Sequence, residues 1–283
     1  PYGEIADGLW LPRGGMYALV QALQRLAASL NVRIYTETDI KQVIPDGRRC
    51  RWVVLPDSTA QDFDAVILNA DAPAARERLL RDVPGAPRLP AMTPAVLTFY
   101  IGLRRPPGGL GHHTVFMPQD ARTAFRDLMA GCRVPPDLPF YVAVPSLTDP
   151  TLAPDGQATL FILVPLPLPA KCPASGADDL VGFGRGYVMR RLKRHGIEIV
   201  EPDILFETAW TPRDWESRFC LHQASAFGAA HTLRQIGPWR WPNRDPYIRG
   251  LYYVGASTVP GTGLPTVTIS GRLTVERMLH DAR

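Results

Sequence analysis

Gly250-Leu251-Tyr252-Tyr253-Val254-Gly255-Ala256-Ser257-Thr258-Val259-Pro260-Gly261-Thr262-Gly263-Leu264-Pro265 is the stretch that decides the fold. Leu251 to Val254 is an unbroken apolar run of the length of one buried strand. Gly255, Gly261 and Gly263 permit backbone turns closed to other residues, and Leu264-Pro265 opens a helix that runs toward His280. Such a loop lets bare backbone approach a ligand, and the helix behind it directs free N–H groups and partial positive charge at that ligand. The pattern alone suits a phosphate or an electron-rich ring, and equally a plain strand-turn-helix crossover.

Upstream, Pro12-Arg13-Gly14-Gly15 precedes a helical pattern from Met16 to Leu30, with Leu19, Val20, Leu23, Leu26 and Leu30 at helical spacing. Val32 to Tyr35 alternates like a strand. Ile40 to Ile44 and Arg51 to Leu55 read as two strands around Pro45-Asp46-Gly47, and Asp64 to Leu68 as another. Helix, strand, hairpin and strand in that order predict an α/β domain whose parallel core carries a β insertion. From about Pro94 the texture changes. Ala95 to Gly102, Thr114 to Met117, Phe140 to Val144 and Thr159 to Val164 are apolar or β-branched runs between proline-rich turns, which predicts a second, mainly antiparallel sheet. Asp178 to His195 reads as a helix. Its Gly182-x-Gly184 pair is no dinucleotide fingerprint, because no strand precedes it and a third glycine is misplaced.

The whole chain sets bounds on function. With 283 residues, 46% hydrophobic and 20% charged, it has the makings of one large domain or two smaller ones, which excludes a disordered chain. The net charge of +4 permits contact with an anionic membrane or a phosphate-bearing cofactor, and no dense basic run interleaved with aromatics points to nucleic acid. Cys50, Cys132, Cys172 and Cys220 are too far apart for a zinc site or a redox dithiol, so free thiols in a reducing compartment and no bound metal are expected. No apolar run approaches the roughly 20 residues of a membrane span. The opening Pro1-Tyr2-Gly3-Glu4 has neither an initiator methionine nor a targeting pattern and reads as a cut end.

The Gly250–Pro265 string followed by Ser270-Gly271-Arg272 resembles the carboxyl-terminal flavin motif of carotenoid desaturases and isomerases of the bacterial phytoene-desaturase type. Six further segments agree in order. They are Trp10 to Met16, Asn69-Ala70-Asp71, His112-His113-Thr114, Pro145 to Pro154, and Thr211 to Trp215 with Ser225 to Gly228. The resemblance implies an α/β plus α+β fold, namely an incomplete FAD-binding Rossmann-like domain of the glutathione-reductase type (1–93 and 211–283) with an inserted antiparallel-sheet substrate domain (94–210). It implies FAD as cofactor, with Gly255 and Ala256 at the pyrophosphate and ribityl chain. Leu264, Pro265, Thr266 and Val267 would lie along the isoalloxazine ring behind Gly263, and Val43 by the adenine. Val259 departs from the basic or polar residue common there. The Gly-x-Gly-x-x-Gly turn and its acidic ribose partner do not occur in this chain, so the expectation is a fragment.

A flavin does the hard step of such a dehydrogenation, so the protein is expected to hold a polyene in an apolar pocket of the second sheet, lined by Phe99, Phe116, Phe140, Tyr141, Phe161 and Leu163. His113 with neighbouring His112, and Arg213 with Asp214, are the acid–base candidates; a backbone-satisfied turn histidine and a helix-start ion pair account for them equally. A carotene cis-trans isomerase or a retinol-saturase-like enzyme would carry the same flavin motif, and a non-catalytic lipid-binding remnant the same sheet. A water-insoluble substrate further implies a cytoplasmic protein bound peripherally to membrane. Leu160 to Pro169 and Arg185, Arg190, Arg191 and Arg194 are the expected contacts.

Overall fold

The structure, a computed structural model, describes all residues except 1–5, 82, 84, 86, 132, 177 and 178; the opening Pro1–Glu4, Cys132 and Asp178 thus lie outside the described residues. α1 (Tyr17–Ser29) forms where the periodicity places it, yet it buries none of its residues. Its stripe of Leu19, Val20, Leu23 and Leu26 faces outward. The chain turns at Asn31 in the left-handed region, and the strand expected at Val32–Tyr35 is absent. Alternation fits a strand only where a neighbour takes its backbone N–H and C=O groups. Val32, Ile34 and Tyr35 have no partner strand among the described residues, the Val32 N–H donating instead to the Ala27 carbonyl, and all three are exposed.

β1 (Gln42–Asp46) and β2 (Arg49–Val54) form the expected antiparallel hairpin, which β3 (Ala60–Asp62) extends to a three-stranded meander. β4 (Val66–Leu68) then leads into α2 (Ala72–Leu79).

A five-stranded antiparallel sheet follows, of order β6-β7-β8-β5-β9. Its strands are β5 (Ala95–Leu103), β6 (His113–Phe116), β7 (Phe140–Ala143), β8 (Ala158–Leu166) and β9 (Ile204–Trp210). α3 (Ala121–Ala130) and α4 (Leu180–Arg194) contribute Leu128, Leu180, Val188 and Leu192 to the core of one sheet face, together with Leu97, Phe99, Phe140, Leu160 and Ile162. Gly184 belongs to this packing. A Cβ there would lie 2.3 Å from Leu97 Cδ2, so the glycine lets α4 close on the sheet and serves no nucleotide.

The sheet also overturns the membrane contacts expected from sequence. Leu160, Ile162, Val164 and Leu166 are buried because they lie on the face of β8 that α3 and α4 cover, and Leu168 is buried beyond them, so this side of the stretch is core and not a membrane insert. Arg185 is paired with Glu201 and Glu207, and Arg191 with Asp137, which leaves only Arg190 and Arg194 of that set exposed.

α5 (Pro212–Phe219) follows β9, and the chain returns to β4, with which it forms a separate two-stranded sheet. β10 (Leu251–Tyr253) is fully buried and runs parallel to β4, with Tyr252 opposite Ile67. α6 (Leu264–Asp281) closes the chain. Beneath β10 the Arg76 guanidinium reaches Asp245 Oδ2 at 3.2 Å, and the Tyr253 hydroxyl donates to the same oxygen at 2.8 Å. Backbone N–H groups of Tyr247 and Ile248 donate to Asp245 Oδ1. The ion pair is buried and its carboxylate fully hydrogen-bonded, the condition under which a buried charge pair is tolerated.

Candidate functional site

The loop from Val254 to Leu264 joins β10 to α6. Gly255 has φ 119° and Gly263 φ 111°, left-handed backbone that side chains rarely adopt. Gly263 is the N-cap of α6 and supplies no side chain to cap it, so the first turn of the helix stays open to a ligand. Behind the loop, Asn243 Nδ2 reaches the Val259 carbonyl and Ser270 Oγ, both at 3.1 Å. Thr258 Oγ1 donates to the Gly255 carbonyl at 2.8 Å. Ser257 Oγ donates to Asp71 Oδ1, and Asp71 Oδ2 accepts the His222 N–H at 2.8 Å. The loop is thus tied to the end of β4 and the start of α2.

Two basic residues that sequence reading passed over stand against the loop. Arg240, buried, donates to the carbonyls of Thr258 (2.8 Å), Ala229 (3.0 Å), Gln235 (3.3 Å) and Ala256 (2.5 Å). His231 Nε2 accepts the Thr262 N–H at 3.3 Å, and burial, then the neighbouring Arg240 charge, hold its pKa below the usual imidazole value. Neither position carried a motif. Only the fold brings residues 231 and 240 to the loop.

The second feature lies on the other face of the five-stranded sheet. His113, Tyr141, Phe161, Tyr100 and Trp210 come one each from β6, β7, β8, β5 and β9 on one face of the sheet; Phe161 and Tyr100 are directly opposite, and the other neighbours are diagonal, offset by two residues along their strands. Neighbouring ring centroids are 5.8, 6.2, 5.2 and 6.1 Å apart in that order. Trp215 of α5 continues the row 5.1 Å beyond Trp210, and its indole N–H donates to Thr98 Oγ1 at 3.1 Å. With strands about 4.8 Å apart, the row crosses the sheet over roughly 19 Å. Of the residues expected to line a pocket, Tyr141, Phe161 and Leu163 lie on this face, whereas Phe99, Phe116 and Phe140 point into the opposite core.

His113 Nδ1 lies 2.5 Å from the Tyr141 hydroxyl, and His112 Nδ1 2.5 Å from Thr148 Oγ1. Burial, then His113, lower the pKa of His112. The Pro12–Gly15 and Pro145–Pro150 blocks meet, since the Gly14 N–H donates to Asp149 Oδ2 at 2.7 Å. Asp214 accepts from Thr211 N and Thr211 Oγ1 at 2.7 and 2.6 Å, so its carboxylate completes a capping box on α5. Val43 points into the core beside Cys50 and Leu68. No group of acidic, histidine and cysteine side chains among the described residues is placed to hold a metal. No helix of the described residues is long and apolar enough to cross a membrane.

A glycine-opened loop before an uncapped helix, braced from behind, is a fitting seat for the phosphate and ring of a flavin dinucleotide. Residues 2–166 match the family model described as flavin containing amine oxidoreductase, and the chain belongs to that family, whose cofactor is FAD. Over 99% of its length it is 39% identical to a zeta-carotene-forming phytoene desaturase of Myxococcus xanthus, covering 54% of that protein. It is 31% identical to a lycopene-forming phytoene desaturase of Pseudescherichia vulneris, with 97% of this chain and 57% of that one covered. The chain thus spans about half the length of the curated relatives it matches. Its fold is also that of an oxidoreductase from Methanosarcina mazei, at a TM-score of 0.60 and 16% identity over 94% of this chain and 55% of that one.

Proposed function

We propose that the chain is the carboxyl-terminal part of an FAD-dependent carotenoid desaturase. Residues 1–93 and 211–283 would belong to its cofactor domain and 94–210 to its substrate domain. The observation that carries the substrate reading is the aromatic row. A conjugated polyene is long, flat and apolar, and a line of rings across a sheet gives it stacking contacts along its length with few polar groups to desolvate.

FAD, when bound, supplies the hydride acceptor. Gly255 and Ala256 would face its pyrophosphate and ribityl chain. Gly263, Leu264, Pro265, Thr266 and Val267 would face the ring, with Val43 on the adenine side. The row from Tyr141 to Trp210 would hold the hydrocarbon flat and keep water away. His113, set by the Tyr141 hydroxyl at 2.5 Å, is the group on that face able to take a proton at its imidazole. Asp214, engaged in its cap, would act by fixing α5 and thereby Trp215. Insolubility of the substrate supports peripheral contact of the whole protein with a membrane, on surfaces other than β8.

The test is turnover of a phytoene-like polyene in liposomes by the longer flavoprotein, with product chromatography. Tyr100→Ala combined with Phe161→Ala is expected to raise KM at least tenfold while flavin content stays constant. Unchanged KM would remove the row from the substrate site. Absence of any desaturated product from the native protein would remove the desaturase reading itself.

A further inference from the structure

Two arginines are buried almost completely: Arg76 is 6% exposed and Arg240 3%. Their surroundings differ in one respect. Arg76 has the carboxylate of Asp245 at 3.2 Å. Arg240 has no carboxylate within ion-pair distance among the described residues, and its guanidinium donates only to backbone carbonyls, those of Ala229, Gln235, Ala256 and Thr258. Carbonyl dipoles satisfy the N–H groups but do not cancel a unit charge. Taking an unneutralised guanidinium out of water costs several kcal/mol of solvation.

The groups around that charge do not neutralise it either. His231, which stands against the loop, accepts a hydrogen bond at Nε2 from Thr262 and is neutral in that role. Asp71 is the carboxylate of the loop's other anchor, and its two oxygens are taken by Ser257 Oγ and the His222 N–H. The first turn of α6 opens on the same loop and adds positive potential of its own. The loop thus has a buried cation behind it and an uncapped helix start at its end, with no paired anion for Arg240.

We propose that Arg240 is the fixed counter-charge of the cofactor loop, a positioning residue that acts through the Ala256 and Thr258 carbonyls to favour negative charge on the bound cofactor, the reduced isoalloxazine included. The inference rests on the reading of residues 255–267 as the flavin loop. Its consequence is electronic. Removing the charge should make the flavin harder to reduce, and replacing the guanidinium by another cation should not.

The experiment compares native, Arg240→Lys and Arg240→Gln forms of the longer flavoprotein by anaerobic redox titration with a reference dye. The Gln form is expected to shift the two-electron equilibrium at least tenfold toward oxidised flavin, a fall of about 30 mV. The Lys form, which keeps the charge but cannot bridge four carbonyls, is expected to stay within threefold of native. Equal shifts in Lys and Gln would reduce Arg240 to a brace for the loop and overturn the proposal, as would no shift in either. If the Gln form holds no flavin, FAD titration replaces the potential. At least thirtyfold weaker binding in Gln, with Lys within threefold of native, is then the expected result, and equal weakening overturns the proposal. A native protein that binds no FAD at all would instead sink the flavin-loop reading.

Discussion

Gly263 illustrates how much one position can decide. Its φ of 111° and ψ of 148° fall in a region essentially reserved for glycine, and a Cβ there would approach Thr266 Oγ1 to 3.3 Å. Gly263→Val must therefore either carry about 1–3 kcal/mol of local strain or move the loop. The expected outcome is loss of bound flavin with a cooperative melt only a few degrees lower, measured by absorbance after gel filtration and by calorimetry. Full flavin content would show that the ring lies elsewhere.

Cys50 gives a residue-scale prediction about pH. Its thiol is buried, and burial, followed by the Asp245 charge, raises its pKa to about 11 from 9.0. The protonated thiol is the form the fold accepts. Stability is therefore fully present below pH 9 and falls as the unfolded chain ionises first, the loss being complete near pH 11. That preference for the protonated thiol is worth about 2–3 kcal/mol. Denaturant titrations should show a steeper alkaline slope for native protein than for Cys50→Ala, the difference opening from pH 9, while the raised Tyr252 and Tyr253 hydroxyls leave a common slope above pH 10; equal slopes throughout would remove the Cys50 contribution.

At the scale of elements, the sequence was legible where local pattern and tertiary demand coincide. β5 and β8 are long apolar runs and β7 a short one, all with partners on both sides, and the loop before α6 has its turn chemistry written in its glycines. Val32–Tyr35 has the alternation but no neighbouring strand, so pattern alone misled. β9 escaped notice because Glu207 and Thr208 interrupt its apolar run, although Glu207 is held by Arg185 at 2.9 Å. Arg240 and His231 could not be found from sequence, since what matters is their distance from a loop far along the chain. The packing of α4 is checked by Gly184→Val: a Cβ already 2.3 Å from Leu97 Cδ2 would push the helix off the sheet. A loss of about 1–3 kcal/mol is expected from overpacking. An unchanged denaturation midpoint would mean that α4 does not rest on Leu97.

For the whole molecule, the apolar stripe of α1 and the two-stranded parallel pair β4–β10 are elements that ordinarily pack inside a larger α/β layer. The chain covers about half of each of these curated relatives, and the proposed cofactor domain is one that further sequence would complete. This chain by itself is expected to be colourless after gel filtration in the presence of FAD. Stoichiometric flavin on it would show that the loop and its braces suffice.

The central claim, that a flavin seated on residues 255–267 faces a polyene lying on the aromatic row, is tested most directly by single-turnover reduction. The longer flavoprotein is made anaerobic and mixed with vesicles carrying a phytoene-like polyene, and the oxidised flavin band is followed without any other electron acceptor. Bleaching of the band in step with formation of one new double bond per flavin, abolished by Gly263→Val and slowed by the Tyr100→Ala, Phe161→Ala pair, is the predicted result. A flavin that stays oxidised over the polyene while dithionite still bleaches it would contradict the account.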